Sequence, residues 1–301
     1  MRSFAGFLLI SVFIILFSAC QQQSPVVTDP DAYMKEIATW KQQRIERLKS
    51  KTGWLNLAGL LWLEEGVNTF GSDSSNQVIF PEKAAPFCGT LTLENGIVTL
   101  SASQESGITV DGAPVNTMTL QDDTGGHTTL IEQGDLAWFI VKRGDKYAIR
   151  LRDYNHPNLE KLDSIPSYPV SLDYVVEATL HPFERPRTME VATPVAGFTE
   201  QYACPGELHF RLRDEDLVLY PFSSGDGFFF VFADETTGLE TYGAGRFMYS
   251  TPDSTGRIIL DFNRAYNPPC AFTPYATCPM PPRENFLPVA VEAGEKSVHL
   301  H

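Results

Sequence analysis

From Thr52 onward the chain breaks into short β-rich runs parted by turn residues, with no second helical period among them. Such strands present an apolar row every second residue, so they must pack sheet on sheet or close into a barrel. "GTLTLENGIVTLSA" folds back at Asn95-Gly96, a dipeptide suited to the positive φ angles of a two-residue hairpin. "GDLAWFIVKRGDKYAIRLRDY" turns at residues 143–145, "GELHFRLRDEDLVLYPF" near residues 214–216, and "DGFFFVFADETTGLETYGAGRFMYS" at residues 236–238. Residues 228–232 are apolar without alternation, as expected of a strand covered on both faces. These patterns predict a mainly β chain, an antiparallel β-sandwich or barrel-like domain. The weakly patterned residues 155–170 join two halves or form a lid.

One helical period precedes the β region. Over residues 31–52, Tyr33, Ile37, Trp40, Ile45 and Leu48 keep a 3.6-residue stripe, which predicts an N-terminal amphipathic α-helix. Asp29 is placed to cap it, Pro30 suits its first position, and Gly53 stands just beyond its end. Between residues 31 and 51, six Lys/Arg stand against three Asp/Glu. A basic face of that kind can lie against anionic headgroups. Packing of the stripe onto the main domain is the favoured expectation.

The opening "MRSFAGFLLISVFIILFSAC" carries Arg2, a mostly apolar run over residues 4–17, and small residues before Cys20. That run falls short of the roughly 20 residues of a spanning helix and suits a secretory signal. Residues 1–19 are expected to be a lipoprotein signal peptide, with Cys20 the lipidated first residue of the mature chain and residues 20–30 its tether. Acylation would hold the protein to the membrane through Cys20. With no Asp after Cys20, the outer membrane of the bacterial envelope is favoured over the inner one.

The formal net charge of −14 argues against nucleic acid, whose recognition needs a basic footprint. At 43% hydrophobic residues the chain can bury a substantial core. Beyond Cys20 the cysteines are Cys88, Cys204, Cys270 and Cys278. Cys270 and Cys278 are the best candidates for a disulfide, worth about 2–3 kcal/mol for so short a loop; two free thiols are an equal alternative.

Familiar catalytic signatures are missing: no G-x-S-x-G elbow, phosphate loop, H-E-x-x-H or paired C-x-x-C. Neither a metal nor a cofactor is expected. Two strand ends gather polar chemistry instead. In "RIILDFNRAYNPPC", Asp261, Asn263, Arg264, Tyr266 and Asn267 follow an apolar strand, and prolines then stiffen the loop. In "YAIRLRDYNHP", Arg150 precedes Asp153 and His156. Asp261, His156 and Asp153 are the candidate acid–base groups. Arg150, Asn263, Arg264, Tyr266 and Asn267 are the candidate ligand-binding groups. Read architecturally, the same Asp and Asn side chains satisfy turn amides, and Arg150 or Arg264 closes a network with Asp261 or Asp153.

"GWLNLAGLLWLEEGVNTFGSD", "RGDKYAIRLRDYNHP", "ETYGAGRFMY" and "DFNRAYNPPCAFTPYATCPMPPRENFLPVAVEAGEK" together resemble the DUF1684 family of bacterial and archaeal proteins. The resemblance spans residues 53–296 and implies one domain of shared architecture behind a variable N-terminus, with residues 297–301 as a tail. Its motif positions add Asn285 to the ligand-binding candidates. It brings no activity. Two functions of different class follow. Either an exported lipoprotein binds, and in a catalytic form hydrolyses, a small polar ligand between the RDYNHP and DFNRAYNPPC segments, or a non-catalytic envelope scaffold uses these motifs structurally, with protein partners unspecified.

Overall fold

The computed structural model describes residues 26–298 and residue 300. The signal segment 1–19 and Cys20 lie outside the described residues. The chain is mainly β, with antiparallel sheets stacked in sandwich fashion and one long helix near its N-terminus.

That helix spans Pro30–Lys49. Asp29 caps it by accepting a hydrogen bond from the Ala32 amide at 3.0 Å, and Pro30 occupies the first turn, where a missing N–H costs nothing. Gly53 ends the turn that follows through close approach: a Cβ there would lie 2.2 Å from the Leu48 carbonyl oxygen. The stripe packs inward, with Tyr33, Ile37 and Leu48 buried and Trp40 and Ile45 half-buried. The helix therefore lies on the main body.

Residues 57–153 build a first β unit. A six-stranded sheet takes the spatial order Leu57–Trp62, Lys146–Asp153, Leu136–Arg143, Ile131–Gln133, Thr109–Val110, Ala113–Pro114. A five-stranded sheet takes the order Val78–Ile79, Gly66–Gly71, Gly89–Glu94, Ile97–Ala102, Thr117–Leu120. Their facing sides enclose Phe70, Leu91, Leu100, Trp138 and Ile149. Full burial of each such side chain contributes roughly 1.5–3 kcal/mol.

A second unit follows the short helix Asn158–Lys161. Its four-stranded sheet runs Glu215–Leu219, Thr199–Leu212, Val175–Ala192, Ile258–Asp261, and a three-stranded sheet runs Phe222–Ser224, Gly227–Phe232, Arg246–Ser250. Leu208, Phe210, Phe230, Phe232, Leu260 and Phe262 form its core. Residues 155–170 join the two units, and Leu162 packs there with Leu48, Leu55, Ala271 and Phe272. Helix, connector and proline-rich loop thus meet in one apolar seam.

Three of the four expected hairpins close where the turn chemistry places them. Asn95 and Gly96 both adopt positive φ, 50° and 77°, between paired Glu94 and Ile97. Arg143 pairs with Lys146 across Gly144-Asp145, and Leu212 pairs with Glu215 across Arg213-Asp214. The fourth differs. Phe232 pairs with Arg246, so residues 233–245 form a long loop, not a tight turn. Asp234 explains this: it turns inward to meet Arg246 at 2.7 Å, both side chains being fully buried, and no tight hairpin would bring them together.

Candidate functional site

The strand Ile258–Asp261 ends where the helix crosses it, and the polar residues that follow are spent on that crossing. Tyr33 donates its hydroxyl proton to Asp261 Oδ1 at 2.8 Å and accepts from Asn263 Nδ2 at 3.0 Å. Asp261 also caps the short helical turn over Phe262–Arg264 by accepting the Asn263 amide at 3.1 Å. Its second oxygen meets Arg264 Nε at 3.0 Å, and Arg264 extends to Glu36 on the helix. Asn263 completes the bracket on the Ser171 backbone, accepting from its amide at 3.1 Å and donating to its carbonyl at 2.8 Å. Burial pushes the Asp261 carboxyl pKa up, against the pull of Tyr33 and Arg264. Of the sequence-based alternatives, the Arg264–Asp261 network forms.

Tyr266 and Asn267 serve a second crossing. Arg44 reaches in from the helix, lays its guanidinium 4.5 Å from the Tyr266 ring centroid, and donates to the Asn267 carbonyl at 2.7 Å and to Glu295 at 3.1 Å. Glu295 also accepts the Asn267 amide at 2.7 Å, and Asn267 Nδ2 donates to the Lys296 carbonyl at 2.8 Å. Asn285 lies elsewhere, fully buried, where it bonds both backbone groups of Tyr220 and the Val231 carbonyl. These amides replace missing sheet bonds inside the core.

Asp153 and His156 close a turn at the far end of the other segment. Lys83 Nζ reaches Asp153 at 2.8 Å, and the Asn155 amide donates to it at 2.9 Å. His156 Nδ1 accepts the Asn158 amide at 3.2 Å, and burial lowers its pKa, so the ring is held neutral. Among the described residues no hydrogen bond links Asp153 or His156 with Asp261, Asn263 or Arg264. The polar groups of the RDYNHP segment and of the start of DFNRAYNPPC therefore close separate hydrogen-bond networks.

Arg150 stands apart from all of these. It sits mid-strand in Lys146–Asp153, paired with Leu60 and Phe139, on the face opposite the core residues Ile149 and Leu151. The second unit covers that face. A cleft of about 190 Å³ opens between them, lined by Trp54, Arg143 and Arg150 on one side and by Glu200, Phe247, Pro269 and residues 276–279 on the other. Arg150 is 5% exposed, and among the described residues its Nε and Nη2 meet no hydrogen-bond acceptor. Its neighbour Arg143 is satisfied by Asp123 at 2.8 Å and by Thr277 Oγ1 at 3.1 Å. Burial, with Arg143 adding to it, lowers the Arg150 pKa to about 10, which still leaves it charged at neutral pH.

Cys278 lines this cleft, and it and Cys270 are free thiols in reciprocal contact: each backbone amide donates to the other residue's sulfur, at 3.0 and 3.3 Å. A larger hollow of about 620 Å³ opens near His181 and His209, where His209 contacts Glu207 at 3.1 Å and Arg211 pairs with Asp216 at 3.3 Å. The unmet donors of Arg150 make the smaller cleft the better candidate.

Sequence reasoning passed over Trp54, Arg143, Arg44 and Glu295, and the buried pair of Arg246 with Asp234. The only available signal was Arg44 itself, a charge standing beside the apolar stripe of the helix.

Residues 160–296 match the family model described as "Protein of unknown function (DUF1684)". No curated protein matches the chain. Among solved structures, it is similar to an uncharacterised protein of Haloarcula marismortui determined by solution NMR, with 36% sequence identity, 46% of this chain and 78% of that chain covered, and a TM-score of 0.39. The expected resemblance began at residue 53, whereas the family match takes in the connector, the second β unit and the proline-rich loop. By that match, residues 160–296 carry the DUF1684 family's sequence.

Proposed function

We propose that this protein is an exported lipoprotein, anchored through Cys20 at the outer membrane, that binds a small polar anion in the cleft at Arg150. The observation that carries the binding site is the pair of buried Arg150 donors that meet no acceptor among the described residues. Withdrawing a guanidinium from water costs several kcal/mol unless an opposing charge and acceptors replace its hydration. Nε and Nη2 form one edge of the planar guanidinium, and a carboxylate or phosphate offers two oxygens at the matching spacing. Trp54, Phe247 and the proline-rich loop would wall the ligand in. Binding without chemistry is the form favoured, because Asp261 and Asp153, the carboxylates considered for acid–base work, are each occupied by fixed partners.

Calorimetry and thermal shift against small carboxylates and phosphates test this. Wild-type protein should bind a member of the class, and Arg150→Met should lose that binding while keeping or raising its own melting temperature. Equal binding by both proteins overturns the site. The scaffold reading draws on the closed bracket of Asp261 and Asn263 and on the separate buried bonds of Asn285, and it predicts envelope partners whose capture survives Arg150→Met.

A further inference from the structure

We infer that Cys270 and Cys278 are a redox-active dithiol that exchanges with disulfide-bearing partners, Cys270 attacking and Cys278 resolving, with Arg150 as the cation beside them. The pair is held by a loop in which Pro268, Pro269, Pro274, Pro279, Pro281 and Pro282 restrict the backbone. The reciprocal amide bonds, at 3.0 and 3.3 Å, point backbone dipoles at both sulfurs and favour negative charge there.

The two thiols are not equivalent. Cys270 is half-buried, whereas Cys278 is only 8% exposed. Burial pushes the Cys278 thiol up, so it keeps its proton. The hydrogen bond from that thiol pulls Cys270 down, and Arg150 adds to the effect. A lowered, partly accessible thiol beside a protonated, buried one is the asymmetry an exchanging pair needs. Arg150 fits because its two unmet donors lie in the cleft that Cys278 lines. Trp54, Phe247, Pro269 and Pro279 supply apolar walls against which a partner's chain can rest beside its disulfide.

In the forward step the Cys270 thiolate attacks one sulfur of the partner's disulfide. The partner's S–S bond breaks, a Cys270–partner disulfide forms, and the departing thiolate takes up a proton. Cys278 then loses its proton and attacks the Cys270 sulfur, which releases the second partner thiol. Two electrons pass to the partner, leaving it a dithiol and this protein with a Cys270–Cys278 disulfide. The inference is separate from ligand binding, though both use Arg150.

The test follows alkylation of the reduced full chain by iodoacetamide across pH, read residue by residue by mass spectrometry. Cys270 should react about tenfold faster than Cys278 at pH 7, with its profile displaced below that of an ordinary thiol. With glutathione disulfide as the probe, Cys278→Ser should accumulate a Cys270–glutathione adduct, whereas the wild type should proceed to the internal disulfide. Arg150→Met should move the Cys270 profile to higher pH and Arg150→Lys should restore it, which a merely structural arginine would not do. Equal, slow alkylation of both thiols overturns the inference, as does a profile indifferent to Arg150. So does an internal disulfide that glutathione cannot reduce. Cys270→Ser should abolish exchange and leave anion binding intact, so failure of one reading is separable from failure of the other.

Discussion

Arg44→Met tests how the helix is tied to the second β unit. Arg44 and Glu295 are 11% and 2% exposed at their side chains, so their contact is close to dry. Taking one partner from a buried ion pair leaves the other charge uncompensated and costs about 3–5 kcal/mol. Glu295 would keep the Asn267 amide but lose its salt bridge to Arg44, and Tyr266 would lose the guanidinium stacked on it. Burial already holds the folded-state pKa of Glu295 above the usual carboxylate range, with Arg44 opposing the rise. Removing Arg44 lifts it further. The folded chain then takes up a proton more readily than the unfolded chain. Stability therefore rises as pH falls from the folded pKa of Glu295 toward its unfolded value. The deficit of Arg44→Met should be largest at pH 8 and shrink toward pH 5. Urea unfolding of the wild type, Arg44→Met, Glu295→Gln and the double variant at both pH values measures this, and the double variant should recover part of the loss. A cost below about 1 kcal/mol, or one equal at both pH values, would refute the claim that this pair is a buried, coupled tie.

Asp261→Asn should lower stability by about 1–3 kcal/mol, since a carboxamide keeps one acceptor oxygen and its NH2 can accept from neither Tyr33 nor Arg264, and should leave anion binding at Arg150 unchanged; lost binding in a fully stable variant would return Asp261 to the site. Asn285→Ala leaves the Tyr220 amide and the Tyr220 and Val231 carbonyls without partners, so a loss of about 3 kcal/mol or more is expected in urea unfolding. Cys20→Ser should block incorporation of labelled fatty acid and move the protein from the membrane to the soluble fraction. Continued membrane retention would count against lipidation as the anchor.

Much of the secondary structure is legible locally because its determinants are local. Asn95-Gly96 accepts two positive φ angles, Asp29 and Pro30 satisfy or remove amides at a helix start, and alternation tells a strand which face to bury. The loop over residues 233–245 is not legible, since its path is set by Asp234 meeting Arg246 and by the Val291 and Ala293 carbonyls that Arg246 also binds. The candidate site divides the same way. Composition and strand ends picked out Asp261, Asn263 and Arg150 as unusual, yet they could not say which were already answered. Asp261 is answered by Tyr33, 228 residues away, whereas the Arg150 Nε and Nη2 find no acceptor among the described residues.

The sequence by itself determined a β-rich chain with one capped helix, its main turns, and two segments crowded with polar groups. Those properties depend on φ, hydrogen bonding and apolar spacing within a few residues. Only the tertiary structure decided that the helix docks on the body, that Asp261, Asn263 and Asn285 close internal brackets, and that Arg150 and Cys278 line one cleft between the two β units. Those outcomes depend on which distant groups meet once the core has excluded water. The energy of a polar side chain is set by that meeting, because burial charges every unpaired donor the full cost of its lost hydration.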